Sequence, residues 1–485
     1  MVWYNEKRAN DAQKKYFGGL LMAKNLVYDI HDKPKFPQLI VFALQQLLAI
    51  MAATITVPII VGNGMSTSAA LFGAGIGTLV YQLFTKFRSP VFLGSSFAFI
   101  GPMSAAFAGA LGNATLGYFG LIVGAAFAGL VYVILALIVK LAGTKWINKV
   151  MPASVIGPTV ALIGLSLAGA AINDVFSYGD KINFGLSSYF KMTTSIWVSL
   201  VCALVTFGTV IFCSVYGKKM VKLIPFIIGI LAGYATGLIF TAIGYAADMK
   251  ELMVIDFEPF KALTAEGVGL STFLSVPDFT FAEIFKGKAN IDVDYIITVL
   301  IAYVPVAFVV FAEHLADHKN LSTIIDQDLI EDPGLHRTLL GDGVGSFVGA
   351  LFGGCPNTTY GESVGCVAIT KNASVITITT TAIIAILVSF ISPFVAFLDS
   401  IPGCVMGGVC ITLYGFIAVS GLKMIQKVDL EDSANLFTVS AILIPGIGGM
   451  AMAIGGNVFI TNIACALILG IITNVVLHKK GKSKK

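Results

Sequence analysis

Charged side chains are scarce in this chain. Asp, Glu, Lys and Arg make up 12% of its 485 residues, whereas a soluble protein carries about 25%. Hydrophobic residues make up 56%, and Gly, which is common where membrane helices pack closely, occurs 51 times. This composition excludes a soluble globular protein and predicts an all-α polytopic membrane protein.

Several other signals are missing. All seven Cys lie in apolar stretches, so we interpret them as small buried residues and not as a disulfide framework. The sequence has no HExxH motif, no Cys/His ligand set and no His placed as a base for Ser95 or Ser96, so we predict no catalytic residue, metal or cofactor. The net charge of +4 comes mostly from the two ends and does not indicate a nucleic-acid partner. We expect no cleavable signal, because the first 35 residues are polar and Lys-rich.

Apolar stretches predict fourteen membrane spans, most of which reach the roughly 20 residues that a helix needs to cross a bilayer. They lie at 38–61, 67–86, 90–111, 116–140, 150–171, 193–216, 222–247, 295–316, 337–354, 356–371, 372–398, 402–422, 434–454 and 456–478. The third and the tenth are short and are broken by polar residues, Pro and Gly. We therefore predict half-helices joined by non-helical backbone there, which survives at membrane depth only where it lines a cavity or is packed in protein.

Lys and Arg residues predict the orientation of these spans. They cluster near the N-terminus, after the second, fourth and sixth spans and at the C-terminus, whereas the connections after the first and third spans have none. The positive-inside rule therefore predicts that the segments 1–36 and 479–485 are cytoplasmic. The long acidic connection 248–294 is predicted to lie outside the cell and to separate the two halves of the chain.

The two halves, 37–247 and 295–478, carry matching motifs. Gly75-Ile-Gly77-Thr78 recurs as Gly343-Val-Gly345-Ser346, and Pro152-Ala-Ser-Val155 recurs as Pro402-Gly-Cys-Val405. Seven spans is an odd number, so the second copy must enter the membrane in the opposite orientation. We predict the inverted 7+7 repeat of secondary transporters, in which the substrate site lies between paired broken helices near the midplane.

Two carboxylates occur inside strongly apolar stretches. Glu313 lies in FVVFAEHLADHKN and Glu362 lies in PNTTYGESVGCVAIT. A charged side chain at the bilayer centre costs roughly 2.5–3.5 kcal/mol on insertion scales, so such groups usually serve a polar ligand or a proton. Asp317 follows Glu313 by four residues and shares its helical face. His314 faces about 100° away from Glu313, which favours a structural role, and His318 is expected to face the cytoplasm.

The motif Pro356-Asn-Thr-Thr-Tyr360-Gly361-Glu362-Ser363 resembles the signature of the nucleobase–ascorbate transporter (nucleobase:cation symporter 2) family. Within that family, its Asn-Thr-Thr-Tyr-Gly-Glu core is similar to the uracil permease branch. The likeness extends to Gly94-Ser95-Ser96-Phe97, to Gln46 through Thr54 and to Ala312-Glu313-His314, and it covers nearly the whole chain. The chain departs from the family at Ser363, where Asn is usual, and at Asp317, where some relatives carry His.

The resemblance implies a substrate site, residue by residue. It implies that Glu313 and Glu362 bind the edge of a base, that Phe97 packs against its face and that Ala53 is a small wall residue. Main-chain N–H groups around Tyr360 and Gly361 would also reach the ligand. The broken spans would be supported by Ser95, Ser96, Thr359 and Ser363. Tyr414, in the twelfth span, is interpreted either as a gate residue or as part of the core.

The resemblance also implies the architecture and the activity. Short extended strands in the third and tenth spans would pair across the site, and the protein would form a homodimer in the lipid membrane. Spans 1–4 and 8–11 would form a moving core domain, and spans 5–7 and 12–14 would form a gate or scaffold domain.

The expected function is import of uracil with protons across the cell membrane by alternating access, with an elevator-like movement of the core. Glu313 and Asp317 would carry the proton. A xanthine, purine or broader nucleobase permease and sodium coupling stay open as alternatives, and a channel or a membrane enzyme is a distant one.

Overall fold

The structure is a computed structural model that describes residues 26–144, 146–147, 151–179, 181–184, 187–218, 220–265, 267–288, 291–454 and 458–480. The orientation is predicted partly from Lys residues that lie outside the described residues. These are Lys145 and Lys149 after the fourth span, Lys219 after the sixth span and most of those in the two charged termini. Helices account for most of the described chain, and the strands are short.

In the first half, helices alternate with short connections. The α-helices are α1 (Phe36–Val61), α2 (Thr67–Phe84), α3 (Ile100–Gly109), α4 (Ala114–Ala142), α5 (Ala153–Ser166), α6 (Ala168–Val175), α7 (Thr194–Tyr216), α8 (Met220–Leu223) and α9 (Pro225–Ala247). The strands are β1 (Leu93–Ser95), β2 (Lys181–Phe184) and β3 (Ser187–Phe190), and a 3-10 turn spans Phe97–Phe99.

The acidic connection folds into a 3-10 turn, Lys250–Leu252, and three short helices, α10 (Glu258–Ala262), α11 (Leu270–Phe273) and α12 (Thr280–Glu283). The helices that follow are α13 (Val293–Ile325), α14 (Leu335–Gly353), α15 (Gly361–Thr370), α16 (Val375–Val388), α17 (Ser392–Asp399), α18 (Gly403–Ile425), α19 (Ser433–Ile447) and α20 (Asn462–Lys480). The strands of this half are β4 (Asn357–Thr359), β5 (Met452–Ile454) and β6 (Val458–Ile460).

Local capping explains where several long helices begin and end. The side chains of Ser66, Asn113 and Asp292 accept hydrogen bonds from backbone N–H groups in the first turns of α2, α4 and α13. α1 and α4 both end at glycines with positive φ, Gly62 and Gly143, a conformation that favours glycine because it has no Cβ.

Among the described residues, eight helices are long and apolar enough to cross a membrane, and four further apolar helices are shorter. The prediction of a helical polytopic membrane protein is therefore confirmed. The helices Leu335–Gly353 and Gly361–Thr370, at the predicted ninth and tenth spans, belong to neither group. α14 packs closely against α2 and α4, so it is surrounded by protein and does not need an apolar surface for lipid.

Two extended segments that are far apart in sequence meet in the structure. β1 and β4 pair antiparallel, with Gly94 opposite Thr358, and the N–H of Ser96 donates a hydrogen bond to the carbonyl of Pro356 at 2.9 Å. A Cβ on Gly94 would collide with the ring of Tyr360. The absence of a side chain at position 94 therefore allows the two segments to meet.

The matching glycine motifs bring helices into backbone contact. A Cβ built on Gly77 of α2 would lie 2.7 Å from the carbonyl oxygen of Gly345 in α14, and a Cβ on Gly345 would lie 2.7 Å from the carbonyl oxygen of Gly77. In the same way, a Cβ on Gly157 of α5 would approach the carbonyl oxygen of Gly421 in α18 to 3.1 Å. Small residues thus let these helices pack at close range.

Packing separates the long helices into two groups. α1, α2, α4, α13, α14 and α16 make most of their contacts with one another, and we call them the core group. α5, α7, α9, α18, α19 and α20 likewise contact mainly one another, and we call them the gate group. Contacts between the two groups are fewer, which leaves room for a cavity between them.

Connections that are far apart in sequence contact one another. Asn113 donates a hydrogen bond to the carbonyl of Lys288 at 2.9 Å, and the Tyr118 hydroxyl donates to the carbonyl of Asn63 at 3.1 Å. These bonds join the connections after the predicted first, third and seventh spans. Arg88 forms an ion pair with Asp332 at 2.6 Å, which joins the connections after the predicted second and eighth spans.

Candidate functional site

A cavity of about 440 Å³ lies between the core and gate groups, within the range of pockets that hold small molecules. Six of the residues singled out in the sequence line it, namely Phe97, Glu313, Asp317, Tyr360, Gly361 and Glu362. The cavity therefore brings together side chains from two regions of the chain that are more than 200 residues apart.

Three carboxylates face this cavity. Glu313 and Asp317 project from one face of α13, one helical turn apart, and Glu362 is the second residue of α15. All three side chains are half-buried. The Thr359 hydroxyl donates a hydrogen bond of 2.9 Å to one carboxylate oxygen of Asp317. The acids are thus partly desolvated acceptors that share one small space.

The paired strands hold the start of α15 in place. The Tyr360 hydroxyl donates a hydrogen bond to the carbonyl of Ser95 at 2.8 Å, and the backbone N–H of Tyr360 donates to the carbonyl of Phe92 at 3.3 Å. Gly361 follows at the first position of α15 and is exposed. Because the first N–H groups of a helix have no partner within it, this end of α15 offers backbone donors beside Glu362.

Phe97 lines the cavity together with the aromatic residues Phe226, Tyr360 and Phe416. Its side chain is half-buried, and its ring meets the ring of Tyr414 in α18. Tyr414 is 2% exposed and does not line the cavity. It therefore lies behind Phe97, where the broken segment after β1 contacts the gate group.

The polar residues of the broken segments are buried around the paired strands β1 and β4. Ser95, Ser96, Thr359 and Ser363 are all at most 1% exposed. The Ser363 hydroxyl oxygen accepts hydrogen bonds from the Gln46 side chain and from the N–H of Phe92, the latter at 3.0 Å. Ser363 thus links α1, the entry to β1 and α15 at the position where the family usually has Asn.

The structure does not place Ala53 on the cavity. Ala53 is 1% exposed and packs in the hydrophobic cluster that contains Tyr360 and Ile50. Ala49, one helical turn earlier, lines the cavity instead. Ala53, which the resemblance implied as a wall residue, lies one helical turn from Ala49, and the depth of the cavity along α1 depends on the neighbouring helices.

The expectation that His318 faces the cytoplasm is wrong. Its side chain is 0% exposed, and its ring nitrogens lie 2.7 Å from the Tyr81 hydroxyl and 2.8 Å from the carbonyl oxygen of His314. His314 turns away from the cavity, with ring nitrogens 2.7 Å from an oxygen of Asp342 and 2.9 Å from the Thr338 hydroxyl. Both imidazoles are therefore held in a buried polar network behind the acids.

Sequence reasoning missed Lys222. This residue of α8 lines the cavity together with Leu223, which packs against Ala49 and Cys366. Lys222 is one of several Lys residues after the predicted sixth span, and nothing in its local sequence indicates the site. Its position on the lip of the cavity follows from the packing of α8 on α1, α7 and α9.

The burial of the cysteines is confirmed, since all seven are buried and free. In the part of the chain that the structure describes, no group of three His, Cys, Asp or Glu side chains is arranged to hold a metal ion. The cavity instead offers carboxylate acceptors, backbone donors and aromatic rings. This combination suits a small planar molecule that carries N–H and carbonyl groups.

Comparison with known proteins identifies the family of this chain. The sequence model described as the Permease family matches residues 37–455. The chain belongs to this family, so it is a transporter and not an enzyme. It is 39% identical to the uracil permease of Bacillus caldolyticus over 93% of this chain and 94% of the relative. It is 34% identical to the uracil permease of Escherichia coli K12 over 91% of this chain and 92% of the relative. The family resemblance found in the motifs is confirmed.

Solved structures share the fold at low sequence identity. The transmembrane domain of the cyanobacterial bicarbonate transporter BicA superposes with a TM-score of 0.57 at 16% identity, covering 92% of this chain and 100% of that chain. The inward-facing structure of the murine anion transporter Slc26a9 gives a TM-score of 0.58 at 11% identity, covering 96% of this chain and 70% of that chain. These similarities show a common membrane-transporter fold.

Proposed function

We propose that this protein imports uracil together with protons across the cell membrane. The observation that carries the proposal is the cavity that joins Phe97 with Glu313 and Glu362. The relatives that are 34–39% identical over more than 90% of the chain and bear the name uracil permease support the choice of substrate.

The chemistry of uracil fits the lining of this cavity. Uracil presents two N–H donors and two carbonyl acceptors in one plane. An ionised carboxylate only accepts hydrogen bonds, so Glu313 and Glu362 suit the N–H groups. The free backbone N–H groups at the start of α15 suit a carbonyl oxygen. Stacking of the base on Phe97 contributes roughly 1–3 kcal/mol in comparable sites.

Proton coupling rests on the number of acids. Three carboxylates share a space of about 440 Å³, and like charges so close disfavour simultaneous ionisation. Glu313 and Asp317, one turn apart, are the pair that we propose to bind and release the transported proton. Binding of substrate beside Glu313 and Asp317 would then depend on whether this pair of acids is protonated.

We propose alternating access by movement of a core domain, spans 1–4 and 8–11, against a gate domain, spans 5–7 and 12–14. The separation of the helices into core and gate groups supports this division. Lys222, Ile369 and Met424 line the cavity, and the distribution of Lys and Arg assigns the connections next to them to the cytoplasm. The conformation would thus be open to the cytoplasm.

The inverted 7+7 repeat of fourteen spans is part of the same proposal. Its support is the reciprocal contact of the repeated motifs, since Gly77 and Gly345 each meet the other's carbonyl oxygen. The first glycines of the two motifs make equivalent contacts. Gly75 of α2 meets Ile386 of α16, and Gly343 of α14 meets Tyr132 of α4. The predicted second span thus contacts the eleventh in the way that the ninth contacts the fourth. An inverted repeat requires this exchange of equivalent helices.

We also propose a homodimer in the lipid membrane, with both termini of each protomer in the cytoplasm. Many large hydrophobic side chains of the gate group are exposed, among them Trp197, Leu204, Phe212 and Ile239. Such a surface suits lipid or a second copy of the chain. Native mass spectrometry of the purified protein in lipid nanodiscs would measure the stoichiometry.

The proposal is tested by uptake of radiolabelled uracil into cells that express the chain, with and without a protonophore. We expect uptake that rises as the external pH falls from neutral and that collapses with the protonophore. Unlabelled uracil should compete more strongly than xanthine. Uptake that follows a sodium gradient at fixed pH would contradict proton coupling, and preferential competition by xanthine would contradict uracil as the main substrate.

A further inference from the structure

The three acids of the cavity are not equivalent. Of these three acids, Asp317 is the one whose carboxylate accepts a hydrogen bond from another side chain among the described residues, the 2.9 Å bond from the Thr359 hydroxyl. Its other oxygen faces the beginning of α15, where a Cβ on Gly361 would lie 3.8 Å away. Asp317 is therefore held by the Thr359 hydroxyl and lies beside the start of α15, whereas the described residues show no side-chain hydrogen bond to the carboxylates of Glu313 and Glu362.

Thr359 is itself rigidly placed. It is 0% exposed and lies opposite Leu93 in the β1–β4 pair. The N–H of Leu93 in turn donates a hydrogen bond of 2.9 Å to the Thr78 hydroxyl oxygen in α2. A β-branched side chain has few rotamers, so the Thr359 hydroxyl is presented to Asp317 by the strand pair and not by a mobile loop.

The surroundings of Asp317 contain other titratable and charged groups. They are Glu313, His314 and His318 on its own helix, Glu362, Tyr360 and Cys366 from the segment of β4 and α15, Asp342 from α14, Tyr132 from α4, Tyr81 from α2 and Lys222 on the lip of the cavity. The imidazoles are engaged with Asp342, Thr338 and Tyr81. The hydroxyl of Thr359 is thus the neighbour that bonds directly to the carboxylate of Asp317.

We infer that Thr359 is a positioning residue that holds Asp317 as the fixed member of the proton-binding pair, while Glu313 remains free to contact substrate. This inference rests on the proposed proton-coupled transport. A hydroxyl that donates to a carboxylate favours its charged form. The bond from Thr359 therefore sets the pH at which Asp317 gives up its proton. Because Thr359 belongs to the strand pair beside the cavity, the bond also couples protonation of Asp317 to the position of that strand pair.

The test uses four variants of the full-length protein. Thr359→Val removes the donor but keeps the shape, and Thr359→Ser restores the donor. Asp317→Asn removes the charge but keeps an oxygen that can accept from Thr359. Thr56→Val is the matched control, because Thr56 is a fully buried Thr of α1 whose hydroxyl donates to the carbonyl of Ala52 in its own helix.

The first measurement is an infrared pH titration of the carboxyl bands of purified protein without substrate. The band that disappears in Asp317→Asn belongs to Asp317. In Thr359→Val we expect its midpoint to move to higher pH by about one unit, within the range of single-interaction effects on carboxyl groups. In Thr359→Ser the midpoint should return to within a few tenths of a unit of the wild-type value, and in Thr56→Val it should be unchanged.

The second measurement is uracil binding by calorimetry and uptake into proteoliposomes. Thr359→Val should bind uracil within about threefold of wild type at low pH, while the pH dependence of its uptake shifts in the same direction as the infrared band. Asp317→Asn should exchange uracil across the membrane without concentrating it.

Three results would overturn the inference. The infrared midpoint of Asp317 could be the same in Thr359→Val and wild type. Thr359→Val and Thr359→Ser could both lose uracil binding, which would make Thr359 a substrate ligand or a purely structural residue. Asp317→Asn could retain the wild-type pH profile. Absence of uracil binding by the wild type would instead contradict the proposed substrate, and the infrared titration would still decide the role of Thr359.

Discussion

The ring of Phe97 meets the ring of Tyr414 edge to face, with centroids 5.9 Å apart and planes inclined by 79°. Phe97 belongs to the turn between β1 and α3, and Tyr414 belongs to α18 of the gate group. The contact therefore joins the broken segment, which packs on α13 of the core group, to the gate group. Any movement of one group against the other has to break or replace it.

Replacement of Phe97 by Ala should weaken uracil binding by about 1–3 kcal/mol, because stacking and apolar contact with the base are lost. Calorimetry on the purified variant measures this change. Tyr414→Phe serves as the control, since it keeps the ring behind Phe97 and should bind uracil normally. An unchanged affinity in Phe97→Ala would show that this ring does not face the ligand.

The two glutamates should respond differently to replacement by Gln. Glu313→Gln imitates the protonated acid, so it should keep much of the uracil binding and lose uphill transport. Glu362→Gln places an amide donor opposite a ring N–H. Loss of a charge-assisted hydrogen bond costs about 1.5–3 kcal/mol, which is roughly a ten- to hundredfold loss of affinity.

Calorimetry and proteoliposome uptake on both glutamate variants separate these roles. If Glu313→Gln abolishes binding while Glu362→Gln binds normally but cannot concentrate uracil, the two roles are reversed. A gain of xanthine binding in Glu362→Gln would support the view that this position discriminates between bases.

The orientation in the membrane is tested by single cysteines in a Cys-free background. Glu258, whose side chain is 72% exposed, lies in the acidic connection, and Glu331 is exposed in the connection after α13. An impermeant thiol reagent applied to intact cells should modify Glu258→Cys and should reach Glu331→Cys only after lysis. The opposite labelling pattern would reverse the proposed topology.

Helix packing at the repeated glycines predicts a stability effect. Gly77→Ala puts a Cβ 2.7 Å from the carbonyl oxygen of Gly345, so α2 and α14 must move apart. Overpacking of this kind costs about 1–3 kcal/mol, which should lower the thermal unfolding temperature in detergent. Gly208→Ala in α7 is the control, because its Cβ would meet nothing within 4 Å. Equal stability of the two variants would contradict close packing at Gly77.

Lys222 provides an electrostatic prediction. Its ammonium group shares the cavity with three acids, and the helices that pack against α8, namely α1, α7 and α9, carry no charged side chain. Lys222→Gln should slow net uracil uptake about two- to fivefold at low salt and less at high salt, because exposed charge interactions are weak and screened. Lys218→Gln, on the same connection but outside the cavity lining, should have little effect. A salt-independent loss in both variants would point to a structural cause.

The sequence alone predicted the class of protein, its family and several site residues, because the patterns that indicate them lie in short stretches of the chain. The shortage of charge and the apolar stretches determine a helical membrane protein. The spacing of Glu313 and Asp317 puts both on one helical face, and the polar breaks at 90–111 and 356–371 mark the segments that contain β1 and β4. The motif around Glu362 was specific enough to indicate the family.

Tertiary structure decided which faces meet. Helical periodicity states which side chains share a face, but it cannot state which helix lies opposite or how deep a cavity reaches. For this reason Ala49 and not Ala53 lines the cavity, and Lys222 joins the acids from a distant connection. His318 is buried because Tyr81, 237 residues away in sequence, supplies its hydrogen-bond partner. Such pairings depend on packing between elements that are far apart in the chain.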